Sequence, residues 1–185
     1  MNEPLLQTAV RAHRDGNFAD AARLYGEILR LDPRHFLALY GLGMLHYQAG
    51  QFDQSERLMA YAIRANPSSS DCFFTRGCAL QRLNRPAEAL ICFDHVLALN
   101  PNSADAHSNR GVVLMALNRN AEALESLDAA LAADSANAAS WNNRGCVLVN
   151  LARFAEAIPC FDQALARDPR FAQALISRGS AHGSL

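Results

Sequence analysis

A 34-residue repeat is the feature that most constrains how this 185-residue chain can fold. Five of its ten glycines occupy one position of that repeat, at Gly43, Gly77, Gly111, Gly145 and Gly179. Prolines recur at a second position, and large apolar or small residues recur at others. A fixed period of this length is typical of repeat proteins, in which each unit packs only against its neighbours. The chain is therefore expected to stack repeats in sequence order.

Each repeat has the pattern of two short amphipathic helices. In residues 138–171, Trp141, Gly145 and Leu148 are spaced so that they share one face of the first helix. A glycine inside a helix costs about 1 kcal/mol relative to alanine. Its recurrence therefore predicts a close approach by the second helix, with the large side chain of Phe161 packed against Gly145.

These spacings closely resemble the tetratricopeptide-repeat signature, carried in the fifth unit by Trp141, Gly145, Leu148, Ala157, Phe161, Ala164 and Pro169. The resemblance implies an all-α fold, a right-handed superhelical solenoid of antiparallel helix pairs whose first helices line a concave groove. We expect residues 1–185 to form a single solenoid domain. Its units are 2–35, 36–69, 70–103, 104–137 and 138–171, followed by a half repeat over 172–185.

The half repeat leaves two alternatives open. A terminal repeat needs a polar outer face, and the last predicted helix is rather apolar, with Leu175 and Ile176 among its residues. Residues 172–185 are either the natural cap of the solenoid or the end of an N-terminal fragment of a longer protein. The second alternative is favoured.

Composition and motifs exclude several classes of function. Seventeen basic and eighteen acidic residues give a formal charge of −1, whereas nucleic-acid binders carry a basic excess. The chain shows neither a signal sequence nor a membrane-spanning run, so we expect a cytoplasmic protein without membrane insertion. The odd number of cysteines, without a CxxC pair, predicts reduced thiols and no metal site. No catalytic motif or cofactor loop is present, and His107 is expected to be a packed core residue.

Arginines recur next to the glycine position, and aspartates recur sixteen residues before three of them. Because a position beside the buried glycine should face the preceding unit, the spacing predicts ion pairs between neighbouring units. The pairs are Asp94–Arg110, Asp128–Arg144 and Asp162–Arg178. The alternative is that each arginine points outward along the seam between units.

The first helices place a set of apolar, aromatic and amide side chains at positions predicted to face the groove. These are Tyr40, Met44, Tyr47, Phe74, Cys78, Gln81, Arg82, Asn109, Val112, Met115, Asn142, Asn143, Cys146 and Val149. Exposed apolar surface of this extent marks an interaction site, and methionines and aromatics suit an adaptable peptide or helix groove. Burial by a neighbouring unit or a dimer partner is the alternative.

Asn109 and Asn143 also resemble the asparagine ladder in the superhelical domain of the O-linked N-acetylglucosamine transferases. That resemblance implies a role in holding a bound peptide's backbone, because an amide both donates and accepts hydrogen bonds. The equivalent positions Gly41, Thr75 and Ser177 lack the amide, so the ladder would be short. The simpler alternative is that asparagine is merely common at this position.

The sequence thus predicts a protein-interaction module, without catalysis of its own, that binds a peptide segment or helix of a partner protein. One alternative is the acceptor-recognition N-terminal domain of a longer bacterial protein O-glycosyltransferase. Another is a homo-oligomeric scaffold that dimerises through an exposed end of the solenoid.

Overall fold

The computed structural model describes residues 3–184, and eleven α-helices make up most of that range. They are α1 (Glu3–Arg14), α2 (Phe18–Leu31), α3 (Phe36–Gln48), α4 (Phe52–Ala65), α5 (Ser70–Arg82), α6 (Pro86–Leu99), α7 (Ala104–Ala116), α8 (Asn120–Ala133), α9 (Ala138–Asn150), α10 (Phe154–Arg167) and α11 (Ala172–His182). The two helices predicted for the fifth unit, 138–171, are α9 and α10.

The chain divides into two compact units, residues 1–95 and residues 96–185. The first unit contains α1 to α5 and most of α6, and the second contains the last turn of α6 and α7 to α11. Consecutive helices pack against each other in the first unit from α1 to α5, and in the second from α7 to α11. Alternate helices also touch, α1 with α3 and α3 with α5 in one unit, α7 with α9 and α9 with α11 in the other.

Close helix approach at the repeated glycine is visible in both units. A Cβ atom built at Gly77 would lie 2.9 Å from the Phe93 ring, and one built at Gly145 would lie 2.5 Å from Phe161 Cε1. Both phenylalanine side chains are completely buried. The glycine therefore provides the space that a large side chain of the paired helix fills, which is the packing that the sequence pattern predicts.

Gly179 in α11 departs from this pattern. Among the described residues, nothing lies within 4 Å of a Cβ atom built at Gly179. The neighbouring side chains of Leu175 and Ile176 are 45% and 64% exposed. The apolar character that the sequence shows in this helix is therefore on its surface.

A residue in the left-handed backbone region lies in the turn between the two helices of each pair. These residues are again 34 positions apart: Gly16, Gly50, Asn84, Asn118 and Ala152, with φ angles of 78°, 73°, 55°, 58° and 56°. Left-handed residues commonly end helices because they allow the last carbonyl groups to be capped. The positive φ angle therefore recurs in every repeat, even where the residue is alanine, and it gives each helix pair the same tight turn.

Several helices begin at a capping side chain that accepts a hydrogen bond from the first turn. Ser69, Ser103 and Asn137 cap α5, α7 and α9 by accepting from the backbone N–H three residues later. His35 caps α3 in the same way through Nδ1. These bonds satisfy donors that the helix itself leaves free, so the start of each of these first helices is well defined.

Candidate functional site

A pocket of about 260 Å³ opens between α3 and α5 in the first unit. We call it the aromatic pocket, and its lining residues are Tyr40, Met44, Tyr47, Asp71, Phe74, Thr75 and Cys78. The residues come from two first helices, where spacings of three and four positions bring side chains onto one face. Five of the seven belong to the set that the sequence predicts for the groove.

The walls of the aromatic pocket are held by aromatic packing. The Phe74 ring meets the buried Phe93 ring edge-on, with centroids 5.8 Å apart, and the Tyr47 ring meets Phe52 at 5.5 Å. The Tyr40 ring stacks on Phe36 with centroids 6.4 Å apart. Because such pairs add to the energy of apolar burial, they fix the shape of the pocket.

Polar groups lie at the edges of this apolar surface. The hydroxyl of Thr75 donates to Met44 Sδ over 3.5 Å, so it is directed across the pocket wall. Burial raises the pKa of Tyr40, and the nearby carboxylate of Asp71 raises it further. Burial also raises the pKa of Tyr47, while the positive charge of Arg82 acts in the opposite direction. Both phenols are therefore neutral hydrogen-bonding groups at neutral pH.

The other residues predicted for the groove lie on first helices of both units. Gln81 is half-buried and Arg82 is exposed near the end of α5. In the second unit, six predicted residues are half-buried on α7 and α9: Asn109, Val112, Met115, Asn143, Cys146 and Val149. Asn109 Nδ2 donates to the Asp105 carbonyl one turn back along its own helix, over 2.9 Å. A part of its amide is thus already bonded to the backbone.

Asn142 differs from the prediction that its side chain faces the groove. The repeat pattern places it at the position of Tyr40 and Phe74, yet its side chain is only 4% exposed. Its Nδ2 donates to Cys146 Sγ, one turn further along α9, over 3.8 Å. Its Oδ1 atom has no hydrogen-bond partner within residues 3–184. Asn142 is therefore a buried residue and offers almost no surface to a ligand.

Arginines beside the repeated glycine contact second helices, Arg144 and Arg178 the preceding one and Arg110 the following one. Arg144 Nε lies 2.6 Å from Asp128 Oδ1, and Arg178 Nη1 lies 2.7 Å from Asp162 Oδ1. Arg110 Nη1 donates to Ser126 Oγ over 2.5 Å. The Asp94–Arg110 pair stays a prediction. The aspartates of the two observed contacts are about half exposed, so these contacts contribute only about 0–1 kcal/mol each.

An ion pair that the sequence did not predict joins α4 and α5. Glu56 is 8% exposed, and its Oε1 atom accepts from Arg76 Nη2 at 2.6 Å and from Arg76 Nε at 2.9 Å. The equivalent positions in later repeats hold Leu90 and Leu124. The sign of this pair in the sequence is that Glu56 is acidic at a repeat position that is apolar in the later units.

Three of the cysteines and His107 are placed as structural residues. Cys72, Cys92 and Cys160 are buried, and burial raises the pKa of the Cys92 thiol to about 11. His107, expected to be packed in the core, is half-buried and donates from Nε2 to the Pro101 carbonyl over 2.8 Å. Within residues 3–184, no three His, Cys, Asp or Glu side chains are grouped to hold a metal ion. No helix in that range is both long and apolar enough to cross a membrane.

Comparison with known proteins gives one consistent family. Sequence models described as tetratricopeptide repeat match residues 6–70, 74–138 and 138–171. Tetratricopeptide repeat protein 28 of Homo sapiens is 33% identical over 83 residues, which are 45% of this chain and 3% of that protein. Cellulose synthase 2 operon protein C of Komagataeibacter xylinus is 40% identical over 63 residues, 34% of this chain and 5% of that protein. The chain thus matches only a small part of these relatives' length.

Solved structures share the fold over nearly the whole chain. YrrB, described as a TPR protein with an unusual peptide-binding site, has a TM-score of 0.87 at 24% identity and covers 95% of this chain and 91% of its own. MamA from Desulfovibrio magneticus RS-1 has a TM-score of 0.85 at 17% identity, covering 92% and 96%. At such identities the likeness is one of fold, and it confirms the predicted all-α solenoid class.

Proposed function

We propose that this chain, which belongs to the tetratricopeptide-repeat family, binds a peptide segment of a partner protein in the aromatic pocket. The fold is that of a protein-interaction module. The observation that carries the proposal is the pocket itself, a cavity of about 260 Å³ with large apolar side chains on two adjacent first helices. Gln81 and Arg82, which were also predicted for the groove and lie on the same helix as Phe74, would extend the contact.

The side chains of the aromatic pocket suit a binding role because they are exposed only in part. Tyr40, Met44, Tyr47 and Phe74 are all half-buried, so each offers some apolar surface to water while packing holds it in place. Aromatic side chains in preformed pockets supply much of the energy of protein interfaces. A ligand side chain that enters the pocket removes this surface from water without much loss of side-chain freedom in the protein.

Selection of peptides against the chain tests the proposal. A displayed library of random peptides is selected on the immobilised chain, and the affinities of individual winners are measured by fluorescence polarisation. Phe74→Ala and Tyr40→Ala are expected to weaken binding at least tenfold, since each removes a wall of the pocket. Ile91→Ala serves as the matched control, because Ile91 is 58% exposed on α6 and lies outside the pocket lining.

Loss of fold is separated from loss of contact by recording circular dichroism and thermal melts for every variant. If the selected peptides bind both pocket variants as tightly as the parent chain, the aromatic pocket is not the binding site and the proposal fails.

A further inference from the structure

We infer that the aromatic pocket takes an extended peptide that carries a basic residue at one end, an acidic residue at the other and a large apolar side chain between them. This inference rests on the proposed function and adds the chemistry of the ligand. It derives from two charged side chains of α5, Asp71 and Arg82, which lie near opposite ends of the helix that forms one wall of the pocket.

Asp71 supplies the negative end. It lies in the first turn of α5, it lines the pocket and its side chain is exposed. Within residues 3–184, no hydrogen bond or ion pair joins its carboxylate to another side chain, although the charge is close enough to act on the Tyr40 hydroxyl. A carboxylate in this position can accept from a lysine or arginine of a ligand.

Arg82 supplies the positive end. It lies in the last turn of α5, and its guanidinium carbon is 4.8 Å from the centroid of the Phe52 ring. Stacking on an aromatic ring holds a guanidinium in place through cation–π attraction and leaves its edge N–H donors available. Because Phe52 also packs against Tyr47 of the pocket wall, the positive charge is fixed close to the apolar surface.

The spacing of the two charges fits a short extended ligand. Eleven residue steps separate Asp71 from Arg82, which at 1.5 Å per step is about 16 Å along the helix. Five steps of an extended peptide, at about 3.3 Å each, cover the same distance. A helical ligand needs about eleven steps for the same distance, so a six-residue peptide that reaches both charges is extended. The pocket volume of about 260 Å³ suits one large side chain of the ligand.

A second explanation of the two charges is compensation of the helix dipole. An acidic residue in the first turn and a basic residue in the last turn both stabilise a helix. This effect predicts no influence on the choice of ligand. Exchanging the charges therefore separates the two explanations.

Four pools of six-residue peptides provide the probe. Each peptide is blocked at its termini, has a central four-residue block with one Leu, Met or Phe and otherwise Ser, Gly or Ala, and carries Lys or Glu at its first and last positions. The pools are Lys–Glu, Glu–Lys, Lys–Lys and Glu–Glu. We expect the better of the two mixed pools to bind the chain about threefold more tightly than either like-charged pool at low salt, in line with exposed charge pairs, and less so at high salt.

Charge-exchange variants give the decisive comparison. Asp71→Lys is expected to shift the preference to the Glu–Glu pool, and Arg82→Glu to the Lys–Lys pool. The double variant should restore the preference for mixed pools. Asp105→Lys is the matched control, because Asp105 is exposed in the first turn of α7 and outside the pocket lining, and it should leave the preference unchanged.

The two levels of the hypothesis fail differently. If all four pools bind equally, and Phe74→Ala weakens them all, the charge preference is wrong and the binding pocket stands. If Phe74→Ala weakens the binding of none of the pools, both the charge preference and the binding pocket are wrong. An unchanged preference in Asp71→Lys or Arg82→Glu would likewise overturn the inference.

Discussion

At the level of single residues, a glycine on one helix contacts a large side chain on the other in several helix pairs. Leu127 covers Gly111 and Phe161 covers Gly145, and the two covering side chains are completely buried. The glycine column is therefore a packing requirement wherever a second helix covers it. Gly179 has the same position in the repeat and no such neighbour among the described residues.

Alanine substitutions at two of these glycines should have opposite effects. Gly145→Ala is expected to lower the free energy of unfolding by about 1–3 kcal/mol, because the new Cβ atom would overlap the Phe161 ring. Gly179→Ala should raise it by up to about 1 kcal/mol, because alanine favours the helix and meets no neighbour. Urea unfolding followed by circular dichroism measures both. Equal changes in the two variants would contradict the packing role of the column.

Ala152 offers a test of backbone strain, because its φ of 56° is a conformation that favours glycine. Ala152→Gly is expected to raise the free energy of unfolding by about 0.5–1 kcal/mol by removing that strain. The reverse change, Gly50→Ala, places an alanine in the equivalent turn with φ of 73° and should lower it by a similar amount. Thermal melts of the two variants should therefore move in opposite directions.

Residue patterns explain why some of these features could be predicted from the sequence. The contact of Gly145 with Phe161 followed from helical spacing alone. The turn column was not predicted because glycine, asparagine and alanine share it, although Gly50 and Asn84 both tolerate positive φ. The ion pair of Glu56 with Arg76 was not predicted because it interrupts the repeat, and a periodic pattern says nothing about a position where the period is broken.

At the level of helices, α10 contains a proline that its counterpart α8 lacks. Pro159 lies inside α10 without ending it, and α8 carries Glu125 at the equivalent position. A proline inside a helix removes a backbone hydrogen bond and crowds the carbonyl four residues earlier. We therefore predict that Pro159 bends α10 slightly.

Exchanging these two residues should exchange the stabilities of the helices. Pro159→Glu is expected to raise the free energy of unfolding by about 1–3 kcal/mol, and Glu125→Pro to lower it by about 3 kcal/mol. Both positions are exposed, so core packing changes little in either variant. Urea unfolding again provides the measurement. If Pro159→Glu is neutral, then the helix accommodates proline at this position without cost.

The candidate site could be predicted from the sequence only in part. Repeat spacing correctly assigned residues such as Tyr40 and Phe74 to the first helices. The burial of Asn142 depends on how its surroundings pack, which spacing cannot specify. The pairing of Arg82 with Phe52 also depends on a side chain from a second helix, α4.

At the level of the whole chain, buried weak acids should make the fold sensitive to alkali. Burial raises the pKa of four thiols and three phenols: Cys72, Cys92, Cys146, Cys160, Tyr25, Tyr40 and Tyr47. Because these groups keep their protons longer in the folded state, the folded chain binds more protons than the unfolded chain at high pH. Stability is therefore retained below the unfolded pKa values and lost as pH rises through the folded ones.

The expected result is a fall in the free energy of unfolding from about pH 8.5, the ordinary pKa of a thiol, towards pH 11. Cys92 alone, with its folded pKa of about 11, should contribute about 3 kcal/mol across this range. Urea unfolding of the parent chain and of Cys92→Ala at pH 7.5 and 10.5 measures the effect. A pH-independent stability in the parent, or an identical slope in the variant, would contradict it.

The uneven burial of the thiols has a practical consequence for spectroscopy. Cys72, Cys92 and Cys160 are shielded, whereas Cys78 in the first unit and Cys146 in the second are only half-buried. A maleimide dye should therefore attach to these two positions first, one in each unit. Replacing Cys78 by serine would leave Cys146 as a single label in the other unit, whereas replacing Cys146 by serine would leave a label in the lining of the aromatic pocket. A ligand in the pocket should slow the labelling of Cys78, so the rate of dye attachment would report whether the pocket is occupied.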